Sequence, residues 1–183
     1  MASIGEALRA AVLSRSRRLV AVKRAKREAG VVGWREWASL PDLGVDQIKA
    51  KIDTGARTSA IHAFEIRPFE RDGRQFVRFS LHPVQRRRRP VVDCEAQVID
   101  ERIITSSNGE RQHRYVIETS IKLGNEVWPI EMTLTNRDEM GFRMLLGRRA
   151  LRRRFVVDPG SSFRLSRRKL VKKPKSKTTG RPA

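Results

Sequence analysis

The chain has 183 residues, a length that suits one domain with extensions rather than two full domains. Lys and Arg outnumber Asp and Glu by 40 to 20, and the only cysteine, Cys94, excludes an intrachain disulfide and gives no sign of an oxidising compartment. No apolar run approaches the length of a membrane span, and Arg15, Arg17 and Arg18 interrupt the segment where a signal peptide would be apolar. A soluble cytoplasmic protein with no membrane partner is therefore expected, with an organellar transit peptide as the other reading of the Arg-rich, acid-poor N-terminus.

The positive charge is uneven. Residues 1–30 carry 8 basic and 2 acidic residues, residues 31–163 carry 23 and 18, and residues 164–183 carry 9 and none. The middle has a nearly ordinary globular composition between two basic arms. Three parts are predicted: a basic N-terminal helix or arm over 1–30, one folded domain over 31–165, and a disordered basic tail over 166–183. Within the first part, residues 5–28 fit either a thinly amphipathic helix, with Ile4, Leu8, Ala11 and Val12 at helical spacing along its start, or a solvated arm.

From Val31 the pattern becomes that of strands. Val32, Trp34 and Trp37 supply apolar side chains before a turn at Pro41-Asp42-Leu43-Gly44, and a strand follows over 47–53. A second strand is expected from Thr58 through Ile66. Glu70-Arg71-Asp72-Gly73 reads as a hairpin turn into an alternating strand, Gln75 to Leu81. Arg86 to Arg89 form a charged loop, and Val91 to Ile104 form a long strand or strand pair. Ser106-Ser107-Asn108-Gly109 is the strongest hairpin signal, because Asn-Gly tolerates the positive φ angles of tight hairpin turns. Alternation resumes over Tyr115–Ile121 and Val127–Leu134. An apolar strand from Phe142 runs through Gly147 into a helical turn, a strand follows at Phe155–Val157, and Phe163 and Leu165 suggest one more. Many short strands with little helix predict a small closed or sandwiched all-β domain.

The chain is organised around Lys51-Ile52-Asp53-Thr54-Gly55-Ala56-Arg57-Thr58-Ser59. A strand that ends on an acid and enters a Thr-Gly turn holds a carboxylate rigidly among backbone donors. Thr54 adds a hydroxyl that both donates and accepts. On its own, Asp-Thr-Gly reads equally well as an ordinary turn.

With Leu145-Leu146-Gly147-Arg148 and the intervening hairpins in the same order, the chain resembles the retroviral-type aspartic peptidases over roughly residues 47–152. More narrowly, the phrase Lys51 to Ala60 with Met144 to Arg148 resembles a bacterial group labelled ATP-dependent zinc proteases, associated with an ATP-grasp ligase that adds glutamates to a ribosomal protein. The resemblance implies a retropepsin-like closed β-barrel, half of an acid protease, with a short C-terminal helical turn and basic extensions. It implies that Asp53 is catalytic, that Thr54, Gly55 and Ala56 build the active-site turn, and that Ser106, Ser107, Asn108 and Gly109 belong to a flap over substrate. The same four flap residues also fit an ordinary hairpin tip. Leu145, Leu146, Gly147 and Arg148 are implied as structural support.

The chemistry of that class adds a condition. Two carboxylates sharing a proton divide the work: one takes a proton from water while the other gives one to the carbonyl oxygen. With a single Asp-Thr-Gly, catalysis of this type requires a homodimer in which Asp53 meets its mate. Where the resemblance leads one to expect an acid beside the turn, pairing with Arg148, this chain has Arg57. Arg148 then needs another carboxylate, such as Asp158 or an acid of the partner, or a differently built dimer edge. A cationic pocket at Arg57 would favour acidic peptides such as poly-glutamate extensions.

No cofactor or metal is expected: His62, His82 and His113 stand far apart without a zinc-protease motif, and no phosphate-binding loop is present. Two other readings stay open. One is a non-catalytic partner of the glutamate ligase. The other is an RNA- or ribosome-associating module, since Arg86 to Arg89 and the Lys-rich tail can neutralise phosphates.

Overall fold

In a computed structural model, residues 28–105, 109, 111–136 and 141–165 are described. The expected helix over 5–28, all but its last residue, and the basic tail fall outside them. Ten strands and one short helix follow in order: β1 Gly30–Gly33, β2 Arg35–Leu40, β3 Val45–Asp53, β4 Ser59–Arg71, β5 Arg74–Leu81, β6 Val92–Thr105, β7 Arg111–Leu123, β8 Glu126–Thr135, β9 Met144–Gly147, α1 Arg148–Leu151 and β10 Phe155–Asp158. The expected turn at Pro41 is a single 3-10 turn, Pro41–Leu43.

Eight of the strands form one sheet in the order β2-β3-β9-β4-β5-β6-β7-β8. It closes on itself through extra pairings of β2 with β7 and of β4 with β8. Closure follows from the alternation in the sequence. Every second residue of β2, β3, β7 and β8 points inward, so Ala38, Leu40, Ile48, Ala50, Ile117, Ile121, Met132 and Leu134 share one core. The hairpin between β4 and β5 has Asp72 and Gly73 at φ of 51° and 68°, the left-handed pair that matches strand twist. β4 runs five residues past the expected end at Ile66, because a bulge between Phe64 and Arg67 shifts its register and allows pairing with β5 to continue to Arg71.

Phe163 and Leu165 do not form the extra strand that their spacing suggests. Their backbone N–H groups go elsewhere: Phe163 donates to the Arg35 carbonyl (2.9 Å), while Arg164 and Leu165 donate to Glu36 Oε1 (2.8 Å) and Oε2 (3.3 Å). Glu36 points into the barrel wall, fully buried, and also accepts from Gly33 N–H at 2.8 Å. Trp37 turns outward instead and stacks on Phe163 at 5.7 Å, with Arg35 between the rings of Trp34 and Phe163. Gly33 admits this strap, since a Cβ there would lie 2.4 Å from the Ser161 carbonyl oxygen.

Replacing Glu36 by Ala strands three backbone donors under the strap. Leaving buried groups unpaired makes Glu36→Ala cost about 3 kcal/mol in urea-induced unfolding at neutral pH. Glu36→Gln, which keeps one acceptor oxygen, costs less. A loss no larger than that of an ordinary surface substitution would contradict this role.

Candidate active site

β3 sends Ile48, Ala50 and Ile52 into the core and presents Lys49, Lys51 and Asp53 on its other face. Asp53 is the last residue of the strand and is half-buried. β9 lies between β3 and β4, parallel to β3, so that Ile52 pairs with Leu146 and Asp53 with Gly147. The chain then turns through Thr54, Gly55 and Ala56. The N–H groups of Gly55 and Ala56 both donate to Asp53 Oδ1 at 3.1 Å. One carboxylate oxygen is thus fixed by its own turn, while Oδ2 accepts no hydrogen bond among the described residues.

Gly147 sets how closely β9 approaches the segment leaving that turn. A Cβ at Gly147 would lie 2.6 Å from the Thr58 carbonyl carbon and 2.9 Å from the Ser59 nitrogen. The Gly147 N–H donates to the buried Ser59 Oγ at 3.2 Å, and the Ser59 carbonyl accepts from Thr133 Oγ1 at 3.1 Å. α1 starts at once, and the first N–H groups of a helix have no partner within it. Here Arg148 N–H donates to the Ala56 carbonyl (2.9 Å) and Arg149 N–H to the Arg57 carbonyl (3.1 Å). Leu146 is buried in the core, whereas Leu145 alternates to the face of Lys51 and is only half-buried. Of the two leucines only Leu146 joins the core, together with Met144 and Ala150.

Arg148 does not reach Asp158. Its guanidinium donates to the Thr54 carbonyl at 3.5 Å. Asp158 is already engaged by Ser161 Oγ (2.7 Å), Gly160 N–H (2.9 Å) and Arg164 (2.8 Å). The Ser161 hydroxyl foremost, then the Gly160 N–H and Arg164, hold its carboxyl below the ordinary carboxylate range despite some desolvation. Thr54 and Arg57 are exposed, and the Arg57 side chain has no partner among the described residues.

The hairpin of β6 and β7 pairs from Val98 and Ile117 out to Thr105 and Arg111. Of the expected flap tip, Ser106, Ser107 and Asn108 lie outside the described residues, and Gly109 has φ of 82°. The base of this hairpin is tied to the turn. Arg102 donates to Thr58 Oγ1 (3.3 Å) and pairs with Glu131 of β8 (3.0 Å) and Asp100 (2.6 Å). Glu131 also holds Arg149 of α1 at 2.8 Å.

Sequence reasoning assigned no role to Ser59, Arg102 or Glu131. The only available signal was Glu131, an acid inside the apolar alternation Val127–Leu134. Two histidines come near each other, His62 and His82 with ring centres 6.5 Å apart beside Phe64, while His113 pairs with Glu101 on the hairpin at 2.7 Å. Cys94 is buried and donates to the Leu43 carbonyl at 3.4 Å. Burial first, then the charge of Asp93, raises its thiol pKa to about 11. Among the described residues no three His, Cys, Asp or Glu side chains gather to hold a metal ion, and no helix is long and apolar enough to cross a membrane.

Comparison with known proteins agrees with this geometry. Residues 31–168 match the family model described as RimB-like, retropepsin-like aspartic endopeptidase RimB. A protein of Shewanella pealeana named probable alpha-L-glutamate ligase is 54% identical over 133 residues, covering 73% of this chain and 29% of that protein. One of the same name from Parasynechococcus marenigrum is 50% identical over 135 residues, covering 74% and 29%. The chain thus spans 29% of the length of these curated relatives. A crystal structure of a Legionella pneumophila protein of unknown function superposes with a TM-score of 0.64 at 30% identity, covering 75% of this chain and 98% of that one. The Asp-Thr-Gly turn clamped by an inserted apolar-apolar-Gly strand, in a closed β-barrel, together with a family match across most of its length, means that this chain belongs to the RimB-like family of retropepsin-like aspartic endopeptidases.

Proposed function

We propose that this chain is one protomer of an aspartic endopeptidase whose catalytic centre forms when Asp53 of two copies meets across a two-fold axis. The observation that carries this reading is the asymmetry of the Asp53 carboxylate. Oδ1 is fixed by two backbone N–H groups of its own turn, and Oδ2 is left without a protein donor among the described residues. A lone carboxylate acts as base or as acid, not as both in one step. The mate supplies the other role by sharing one proton with it. In the dimer Thr54 faces the partner's turn, and the hairpin of β6 and β7 closes over the peptide and excludes water.

The exposed, unpartnered Arg57 gives the rim of this site a positive charge, which favours acidic peptides such as glutamate-rich tails. Relatives in which the matching region is part of a longer chain named a glutamate ligase support a working association with such an enzyme. The same observation favours a second reading, in which the domain serves the ligase as a non-catalytic partner. Loose RNA or ribosome association through the exposed Arg86 to Arg89 run is compatible with either reading.

Asp53→Asn separates these readings. In the peptidase, cleavage of an acidic peptide falls by about 10²- to 10⁴-fold with the fold intact, while salt-sensitive RNA retention stays as it was. When wild type and Asp53→Asn are mixed in equal amounts and allowed to exchange, wild-type pairs make up about one quarter of the assemblies, and activity drops to match. Unchanged cleavage by Asp53→Asn would rule out the peptidase reading. The rim is tested by Arg57→Glu, which lowers the ratio of acidic to neutral peptide cleavage. An unchanged ratio removes Arg57 from substrate selection.

A further inference from the structure

Lys51 shares the outward face of β3 with Asp53, two residues upstream and about 6.6–6.8 Å along the strand. On that face its neighbours across the sheet are Arg35 of β2 and Leu145 of β9. Three cations lie on this part of the barrel, and two are committed. The Arg35 guanidinium sits 4.4 Å from the Trp34 ring centre and 5.1 Å from that of Phe163, and the Lys49 ammonium lies 5.4 Å from the centre of Trp37. Lys51 alone is exposed with no hydrogen bond, ion pair or ring contact among the described residues.

Asp53 and Lys51 form no ion pair among the described residues, and the Asp53 Oδ1 is held instead by the N–H groups of Gly55 and Ala56. A solvated lysine is ordinarily only a surface charge. This one stands on the face of β3 that carries Asp53, the reacting position of the proposed peptidase, with the Leu145 side chain next to it. An ammonium on a flexible stem serves there as a point receptor for an anion.

We infer that Lys51 is the carboxylate receptor of this site, binding a peptide carboxylate immediately beside the bond presented to Asp53. The inference rests on the peptidase reading above and names a residue that, beside Arg57 at the rim, selects its substrate. Two-fold pairing puts one Lys51 on each side of the joined carboxylates, so the positions before and after the bond both meet a cation. The carboxylate comes either from an acidic side chain flanking the bond or from the end of a peptide chain.

Calorimetry distinguishes these sources with four versions of one peptide carrying a non-hydrolysable replacement for the scissile bond. They have Glu or Gln on both sides of it, each with a free or an amidated C-terminus. A charge-assisted hydrogen bond in a closed cleft makes wild type bind the Glu form, or the free-acid form, about 10- to 100-fold more tightly than its neutral counterpart. The ratio that shows this preference identifies the source. In Lys51→Met it shrinks to less than about threefold, and in Lys51→Arg it is retained, which separates charge from damage to the strand. The inference is overturned if Lys51→Met keeps the wild-type ratios, or if wild type shows no preference of either kind. The parent peptides with ordinary amide bonds are assayed for cleavage alongside. Preferential binding without cleavage sinks the peptidase reading while leaving Lys51 as the receptor. Cleavage without a Lys51-dependent preference does the reverse.

Discussion

Two pieces of backbone meet at Gly147 with no side chain between them. The contact to Thr58 and Ser59 is so close that any Cβ would have to displace main chain rather than a flexible side chain. It allows a four-residue strand to slip between β3 and β4, which are consecutive in sequence yet are not neighbours in the sheet. Once β9 is seated, the Ala56 and Arg57 carbonyls meet the first N–H groups of α1, and the Ser59 hydroxyl meets Gly147 N–H. The turn between Asp53 and Ser59 is therefore held from its outer side by backbone and from its inner side by its own Asp53. In the proposed peptidase, a carboxylate placed in this way loses little further freedom on reacting, which is how a rigid scaffold contributes to catalysis.

Charge around this turn is arranged differently from what an ion-paired dimer edge would need. Arg148 spends its guanidinium on the Thr54 carbonyl, and Asp158 is saturated by the strap that follows β10. Glu131 gathers Arg102 and Arg149, joining the hairpin base, β8 and α1 in one network. The cations left over, Lys51 and Arg57, lie on either side of Asp53 in the chain. Surplus positive charge thus collects at the Asp53 end of the barrel while the paired charge is used to brace it.

The fold was legible because the alternation is strong. The boundaries of β3, β5, β7 and β8 fall within a few residues of what period two predicts, and Asp72-Gly73 turns where it should. The Asp53 turn and the Leu-Leu-Gly strand were legible as a linked pair of phrases. What stayed hidden depends on contacts between residues far apart in the chain. Glu36 sits among apolar residues and gives no hint that its partners are backbone groups 128 and 129 residues away. Trp37 reads only as an apolar side chain before a turn, and nothing local shows that it faces outward, where Phe163 covers it. Leu145 and Leu146 look alike in sequence, but strand parity sends them to opposite faces. The pairing of Glu131 with Arg102 and Arg149, and the turn of Arg148 to the Thr54 carbonyl rather than to Asp158, are set by the closing of the sheet and have no local signature.

The proposed active centre depends on where two identical aspartates sit relative to each other. A crystal structure of the protein bound to a peptide with a non-hydrolysable scissile bond measures this directly. The prediction is a symmetric pair with the Asp53 carboxylates about 3 Å apart, close enough to share one proton, and the peptide lying across them. Asp53 carboxylates on separate outer faces, or a peptide bound in the barrel of a single copy, would contradict it.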